Sequence, residues 1–273
     1  MDLREFSLDD KQIRQGQECL NYQPFVLSDS VCTGVAHSWL YSAEAGRTSF
    51  APDFVVEKST VEPQDWEKFY DANRQLANMY DDFVTAIAEH FPSGSLLDVA
   101  CYNGYFLTRA LQNGMTSALG YDLEDYSQSV AFLNRVVGTK AKFVQSGYDS
   151  WKHEIPRCKK YDVVVASNIM QHISDPLYFL AFLAGRAEKA LFLFTGMGPS
   201  DDFLIHLNEP NKFYSDRKFP VVFDNDVGLS KGLLYRSLDY LGFSEIIELE
   251  RRDNWLPDSF LDVGNQKALL CLR

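Results

Sequence analysis

Leu96-Leu97-Asp98-Val99-Ala100-Cys101-Tyr102-Asn103-Gly104-Tyr105-Phe106 is the stretch on which the reading of this chain turns. It belongs to a short apolar run, Ser95–Ala100, set off by the breakers Pro92, Ser93 and Gly94, which predicts a buried strand. The run carries an acid near its end, passes through a tight loop and enters a helical pattern over Gly104–Asn113 that Gly114 stops. In open α/β sheets, ligands sit outside the carboxyl ends of the strands, so this turn is expected to border a binding crevice. Small residues there let backbone amides come close to a ligand, and a helix N-terminus favours a carboxylate.

Outward from this turn the chain alternates. Strands are expected at Ser117–Tyr121, Lys142–Gln145, Tyr161–Ser167 and Ala190–Thr195, with helices at Tyr126–Val137 and Pro176–Arg186. A helix over Leu229–Leu241 and strands at Ser244–Glu250 and Lys267–Leu272 close the sequence. Upstream, Trp66, Phe69, Leu76, Met79, Phe83 and Ile87 recur at helical spacing through Gln64–His90, as one helix or two. Near-continuous apolar strands separated by helices mark a parallel sheet covered on both faces. The expected fold is α/β and doubly wound, with a mostly parallel seven-stranded sheet, helices on both faces and a closing antiparallel hairpin.

Residues 1–63 form an expected N-terminal extension without a clean helical period, in which Gln23–Leu27 and Ser49–Val56 can each hold a strand. Its large apolar residues Trp39, Tyr41 and Phe50 suggest packing on the main domain, residues 64–273. Within that domain, residues 196–228 are too long for an ordinary connection of about 2–6 residues. They read as a lid insertion, or alternatively as an extra packing element over the sheet edge.

Hydrophobic residues make up 46% and charged residues 23%, enough apolar material for a sizeable core. The formal net charge of -12 opposes phosphate backbones, so nucleic acid is a disfavoured partner unless a local basic patch exists. Cys19, Cys32, Cys101, Cys158 and Cys271 are odd in number and scattered, with no zinc-ligand spacing; no metal is expected. The charged start MDLREFSLDDKQIRQ lacks a signal-peptide core, and no apolar run approaches the ~20 residues of a membrane span. A cytoplasmic protein with reduced thiols is the expectation, and a homo-oligomer is left open.

LLDVACYNGYF resembles the first motif of class I, Rossmann-like, S-adenosylmethionine (SAM)-dependent methyltransferases, an acid followed by a glycine-rich turn. It departs from the pattern at two positions: Ala100 and Tyr102 stand where the first two glycines usually occur, and Gly104 matches the third. The resemblance implies SAM as cofactor, bound by Asp98, Ala100, Cys101, Tyr102 and Gly104, with Tyr102 able to narrow the loop or reach over the methionine part. Asp122, in Gly120-Tyr121-Asp122-Leu123, would accept from the ribose hydroxyls, and Leu123 would pack on adenine. Asp122 can also be read as an N-terminal charge on the next helix. Gln145-Ser146-Gly147-Tyr148-Asp149-Ser150 is similar to the adenine-contacting turn, favouring Tyr148 and Asp149. The segment Ser167-Asn168-Ile169-Met170-Gln171-His172-Ile173-Ser174-Asp175-Pro176 is similar to the post-strand segment of small-molecule methyltransferases. It adds Asn168 to the cofactor side, and Ser174 or Asp175 with Pro176 to start a helix. The G-x-G-x-x-G fingerprint, a Walker loop and a G-x-S-x-G elbow are all missing, which disfavours NAD(P) enzymes, nucleotide hydrolases and α/β-hydrolases.

His172 is the candidate general base, because imidazole titrates near neutral pH; a histidine that only hydrogen-bonds the loop or substrate is the plainer reading. His37, Trp39, His206 and Tyr214 are the candidate substrate-binding residues, from the extension and the lid. Three functions follow in order: methyl transfer to a small-molecule hydroxyl, a tRNA-modifying relative acting on wobble uridine, and a non-catalytic SAM-binding partner protein.

Overall fold

The structure, a computed structural model, describes residues 1–34, 55–147, 159–173, 175–207, 227–256 and 266–273. The first long element is a helix, α1 (Asp10–Cys19), in a region where no helical period is evident. Its start is nevertheless written locally: the Asp9 side chain accepts from Gln12 N, and the Gln12 side chain accepts from Asp9 N, a capping box that offsets two unpaired amides. The extension also forms an antiparallel three-stranded sheet, β1 (Phe25–Ser28), β2 (Val31–Thr33) and β3 (Val55–Glu57). Val26, Cys32 and Val56 from this sheet bury against Trp66 and Phe69. Those aromatics open α2 (Pro63–His90), which is one continuous helix of 28 residues rather than two. Proline at its first position suits a turn whose amide needs no intrahelical partner.

The rest alternates as expected: β4 (Ser95–Val99), α3 (Tyr105–Gln112), β5 (Ser117–Asp122), α4 (Ser127–Val137), β6 (Lys142–Gln145), β7 (Tyr161–Ser167), α5 (Pro176–Ala184), β8 (Ala187–Gly198), β9 (Ile205–Leu207), β10 (Val227–Ser230), α6 (Lys231–Tyr240), β11 (Glu245–Glu248) and β12 (Gln266–Leu272). Seven strands lie in the order β11-β12-β8-β7-β4-β5-β6. β4, β5, β6, β7 and β8 pair in parallel, while β12 runs antiparallel between β8 and β11 and makes the closing hairpin. Two short strands are added to the expected seven. β10 pairs in parallel with the end of β8, and β9 pairs antiparallel with β10. They come from the two ends of the 196–228 insertion, and β8 itself runs on to Gly198.

Alternate residues of the central strands feed two cores, as a period of two requires. Leu96, Val163, Val165, Phe192, Phe194 and Leu270 face α2, α3 and α4, where Phe83 lies 5.2 and 5.0 Å from Phe192 and Phe194. Leu97, Val99, Val164, Leu191, Leu193 and Leu269 face α5 and α6. With both faces covered, ligand access is left at the carboxyl edge, where β4, β5 and β7 end side by side. No helix among the described residues is long and apolar enough to cross a membrane.

Candidate active site

The turn after β4 takes an unusual path. Ala100, Tyr102 and Gly104 have φ of 64°, 47° and 88°, so three alternate residues sit in the left-handed region. Glycine holds that conformation freely, whereas a side chain there costs about 1–2 kcal/mol. The glycine-like path is therefore kept at Ala100 and Tyr102 despite the side chains, which needs support from the surroundings. That support is visible. Ala100 N and Cys101 N donate to Tyr121 O at 2.8 and 3.1 Å, and Tyr102 N donates to Asp122 Oδ2 at 2.9 Å. Glu124 N donates to Asp122 Oδ1 at 3.2 Å, so one carboxylate at the end of β5 joins two loops. Cys101 turns inward and is buried, which leaves only its main chain at the crevice.

Asp122 is 7% exposed, and burial pushes its carboxyl up to about 6 against the opposing pull of the Tyr102, Glu124 and Leu123 amides. Asp98 is 1% exposed and its Oδ2 has no hydrogen-bond partner. Burial, and then the neighbouring Asp122, hold its carboxyl well above the usual range. A buried carboxylate oxygen without a partner costs about 1–3 kcal/mol or more, so Asp98 is poised for a donor, best a cationic one. Asp122 in turn offers acceptor capacity for hydroxyl donors. Leu123 packs toward Gly147, where an added Cβ would come within 3.1 Å of Leu123 Cδ1.

The extension closes on this turn through residues that the sequence did not single out. Asn103 is fully buried. Its Oδ1 accepts from Asn21 N and Gln23 N at 3.2 and 3.5 Å, and its Nδ2 donates to Cys19 O and Ser129 Oγ at 3.2 and 3.1 Å. Gln23 Oε1 accepts from Tyr105 N at 2.9 Å and so satisfies the first amide of α3. Between them, the Tyr22 ring stacks on Tyr102 with centroids 4.3 Å apart and planes 15° apart. Tyr126 meets the other ring at 5.4 Å. The side chain at the second glycine position is thus held in an aromatic group beside the crevice. Only Asn103 carried a hint, by its place inside the motif.

Beyond β7, Asn168 is again left-handed, with φ 53°, and its amide donates to Phe194 O at 2.7 Å. Gln171 Nε2 donates to Asn168 O at 3.1 Å and lies 3.4 Å from His172 Nε2. Gln266, from the start of β12, donates through Nε2 to Asn168 Oδ1 at 3.1 Å. His172 ends a 3₁₀ turn over Met170–His172, and Asp175 caps α5 by accepting from Tyr178 N. His206 lies on β9 against Gly198, where an added Cβ would sit 2.6 Å from His206 Nε2. The structure thus places Asp98, Ala100, Cys101, Tyr102, Gly104, Asp122 and Leu123 around one turn, with Asn168 and His172 after the neighbouring strand. His37, Trp39, Tyr148, Asp149 and Tyr214 lie outside the described residues, as does Ser174. Among the described residues, no three His, Cys, Asp or Glu side chains form a group able to hold a metal ion.

A family model described as a methyltransferase domain matches residues 70–217, more than half of the chain. The chain is 29% identical over 193 residues to the tRNA U34 carboxymethyltransferase of Campylobacter lari, covering 64% of this chain and 62% of that protein. It is 27% identical over 114 residues to the malonyl-[acyl-carrier protein] O-methyltransferase of Halalkalibacterium halodurans, covering 41% and 42%. The chain therefore spans less than two thirds of the length of these relatives. Among solved structures, the N-terminal domain of EvdMO1 with SAH and D-fucose superposes with a TM-score of 0.53 at 18% identity, over 71% of this chain and 83% of that one. That likeness is one of fold.

Proposed function

This chain belongs to the methyltransferase domain family, and we propose that it binds SAM at the turn after β4 and transfers the methyl group to a hydroxyl of a small molecule. The unpartnered, buried Asp98 Oδ2 carries the cofactor reading. SAM offers an ammonium and a ribose diol, and this turn holds a carboxylate suited to each. Bound SAM supplies a methyl group already activated by its sulfonium charge.

The chain's own residues then have defined tasks. Asp98 accepts from the ammonium, Asp122 from the ribose hydroxyls, and the left-handed turn keeps its backbone close to the ligand. Leu123 offers an apolar surface to the base. The Tyr22–Tyr102 stack and the Asn103 network exclude water from the turn's extension side. Asn168 O accepts hydrogen bonds only, so the Gln171 atom facing it is the amide nitrogen, which also faces His172 Nε2. In the neutral imidazole this makes Nε2 the acceptor nitrogen, and its one lone pair takes a hydroxyl proton only as the Gln171 contact opens. The net charge of -12 agrees with a small or cationic acceptor rather than a phosphate backbone.

A second reading, tRNA modification, draws on one observation. Its relatives match more of the chain (64% for the Campylobacter lari protein) than the 41% of the malonyl-[acyl-carrier protein] relative. Two measurements separate the readings. Calorimetry with SAM and SAH tests the cofactor, and a folded chain that binds neither removes the proposal. Transfer of label from methyl-tritiated SAM into an extract of small metabolites supports the first reading. A carboxymethyl group is not the SAM methyl, so the second reading is tested with total tRNA and an S-adenosyl donor that carries the carboxymethyl group; mass gained only by the tRNA replaces the first reading with the second.

A further inference from the structure

Beyond the cofactor turn, buried polar atoms without partners lie where β7 and β8 end and the antiparallel β12 begins. Gln171 Oε1, Gln266 Oε1 and His206 Nε2 are all buried and unbonded. Two of these residues are held by one hub. The left-handed Asn168 gives its main-chain oxygen to Gln171 and its side-chain oxygen to Gln266. Each glutamine spends its NH2 group on Asn168 and leaves its carbonyl oxygen over.

The sheet register places the third atom on the same face as Gln266. Gln266 is the cross-strand partner of Gly196 on β8, and paired residues share a face. Gly198, two residues on, presents that face again, and the His206 ring occupies the place its side chain would take. Gly196 adds no side chain to that face beyond Phe194. Buried amide oxygens without partners are unfavourable until donors reach them.

We propose that Gln171 and Gln266, oriented by Asn168 and flanked by His206, form the acceptor-binding subsite, and that they receive an uncharged compound through at least two of its hydroxyl groups. This rests on the methyl-transfer reading of the neighbouring turn. Two carbonyl oxygens facing one ligand attract O–H donors and repel a carboxylate or phosphate, whose oxygens would meet them without an intervening proton. The subsite therefore selects a neutral polyhydroxylated compound over its acidic counterpart.

The test uses the full chain saturated with SAH and a matched panel: neutral monosaccharides and polyols, and the corresponding uronic acids. Binding is read by ligand-observed NMR at millimolar concentration. The expected result is preferential binding of neutral members. Gln171→Met and Gln266→Met, which keep the volume and remove the carbonyl, should each weaken that binding about fivefold to tenfold, the equivalent of one hydrogen bond, with SAH affinity unchanged. Stronger binding by the uronic acids, no binding by any neutral member, or unaltered affinity in both variants overturns the proposal. If a variant fails to fold, the wild-type ranking of neutral against acidic probes still decides. Failure of wild type to bind SAH would instead remove the methyl-transfer reading on which the subsite rests.

Discussion

If Asp122 receives the ribose hydroxyls, cofactor affinity must follow the ionisation of its carboxyl, and the window lies within easy reach. Burial raises that group from 3.8 to about 6. The shift is about 2 units, or roughly 3 kcal/mol between the two protonation states at about 1.4 kcal/mol per unit. The sign is that of a raised acid. Between pH ~4 and ~6 the unliganded folded chain keeps a proton the unfolded chain has released. Stability from this group is thus fully present below 3.8 and is lost as pH rises through about 6. Two hydroxyl donors favour the ionised form and reverse this. With a carboxyl titrating near 6, about nine tenths is ionised at pH 7 and about one tenth at pH 5, so SAH should bind roughly tenfold more weakly at pH 5. Calorimetry from pH 5 to 8, in two buffers of different ionisation enthalpy, reads both the affinity and the proton released near pH 6. Asp122→Asn should weaken binding at pH 7 by about 1–3 kcal/mol and remove the step near pH 6. A wild-type affinity unchanged between pH 5 and 7.5, or the same slope in Asp122→Asn, would refute the reasoning.

Three further outcomes follow from particular contacts. Ala100→Gly removes a side chain from a left-handed residue, a relief of about 1–2 kcal/mol, against about 0.5–1 kcal/mol of added chain entropy; a thermal melt should rise by about 1–3 °C, and a fall would show that Ala100 is not strained. Asn103→Ala strips the buried bonds to Asn21, Gln23, Cys19 and Ser129. A loss of about 3 kcal/mol is expected, with protease cutting before residue 34 ahead of global unfolding; resistance equal to wild type would contradict the tie between extension and turn. His172→Ala should lower turnover on a hydroxyl acceptor by about 10²–10⁴ with little change in SAM affinity, and the deficit should shrink at high pH as the acceptor ionises unaided. Equal turnover across about pH 6–9 would end the general-base role.

What the sequence determined by itself was the strand–turn–helix around Asp98, the alternation that follows it and the closing hairpin. Those features depend on neighbours a few residues apart: apolar runs, breakers, and an acid before a tight loop. The helix α1 is equally local, written in its Asp9–Gln12 box, but its residues Asp10–Cys19 are almost all polar and offer few apolar positions to mark a helix. Only the tertiary structure decided how the turn is supported and what faces the crevice. Tyr102 is one residue of a stack because Tyr22, eighty positions earlier, is laid over it by the extension. Asn168 is a hub because β12 runs antiparallel beside β8 and brings Gln266, 98 residues away in sequence, to the end of β7. The partners of a buried polar group are set by strand order and register, which no short window of sequence contains. The same holds for Asp98, whose acid is plain in the motif but whose missing partner shows only when every neighbour is in place.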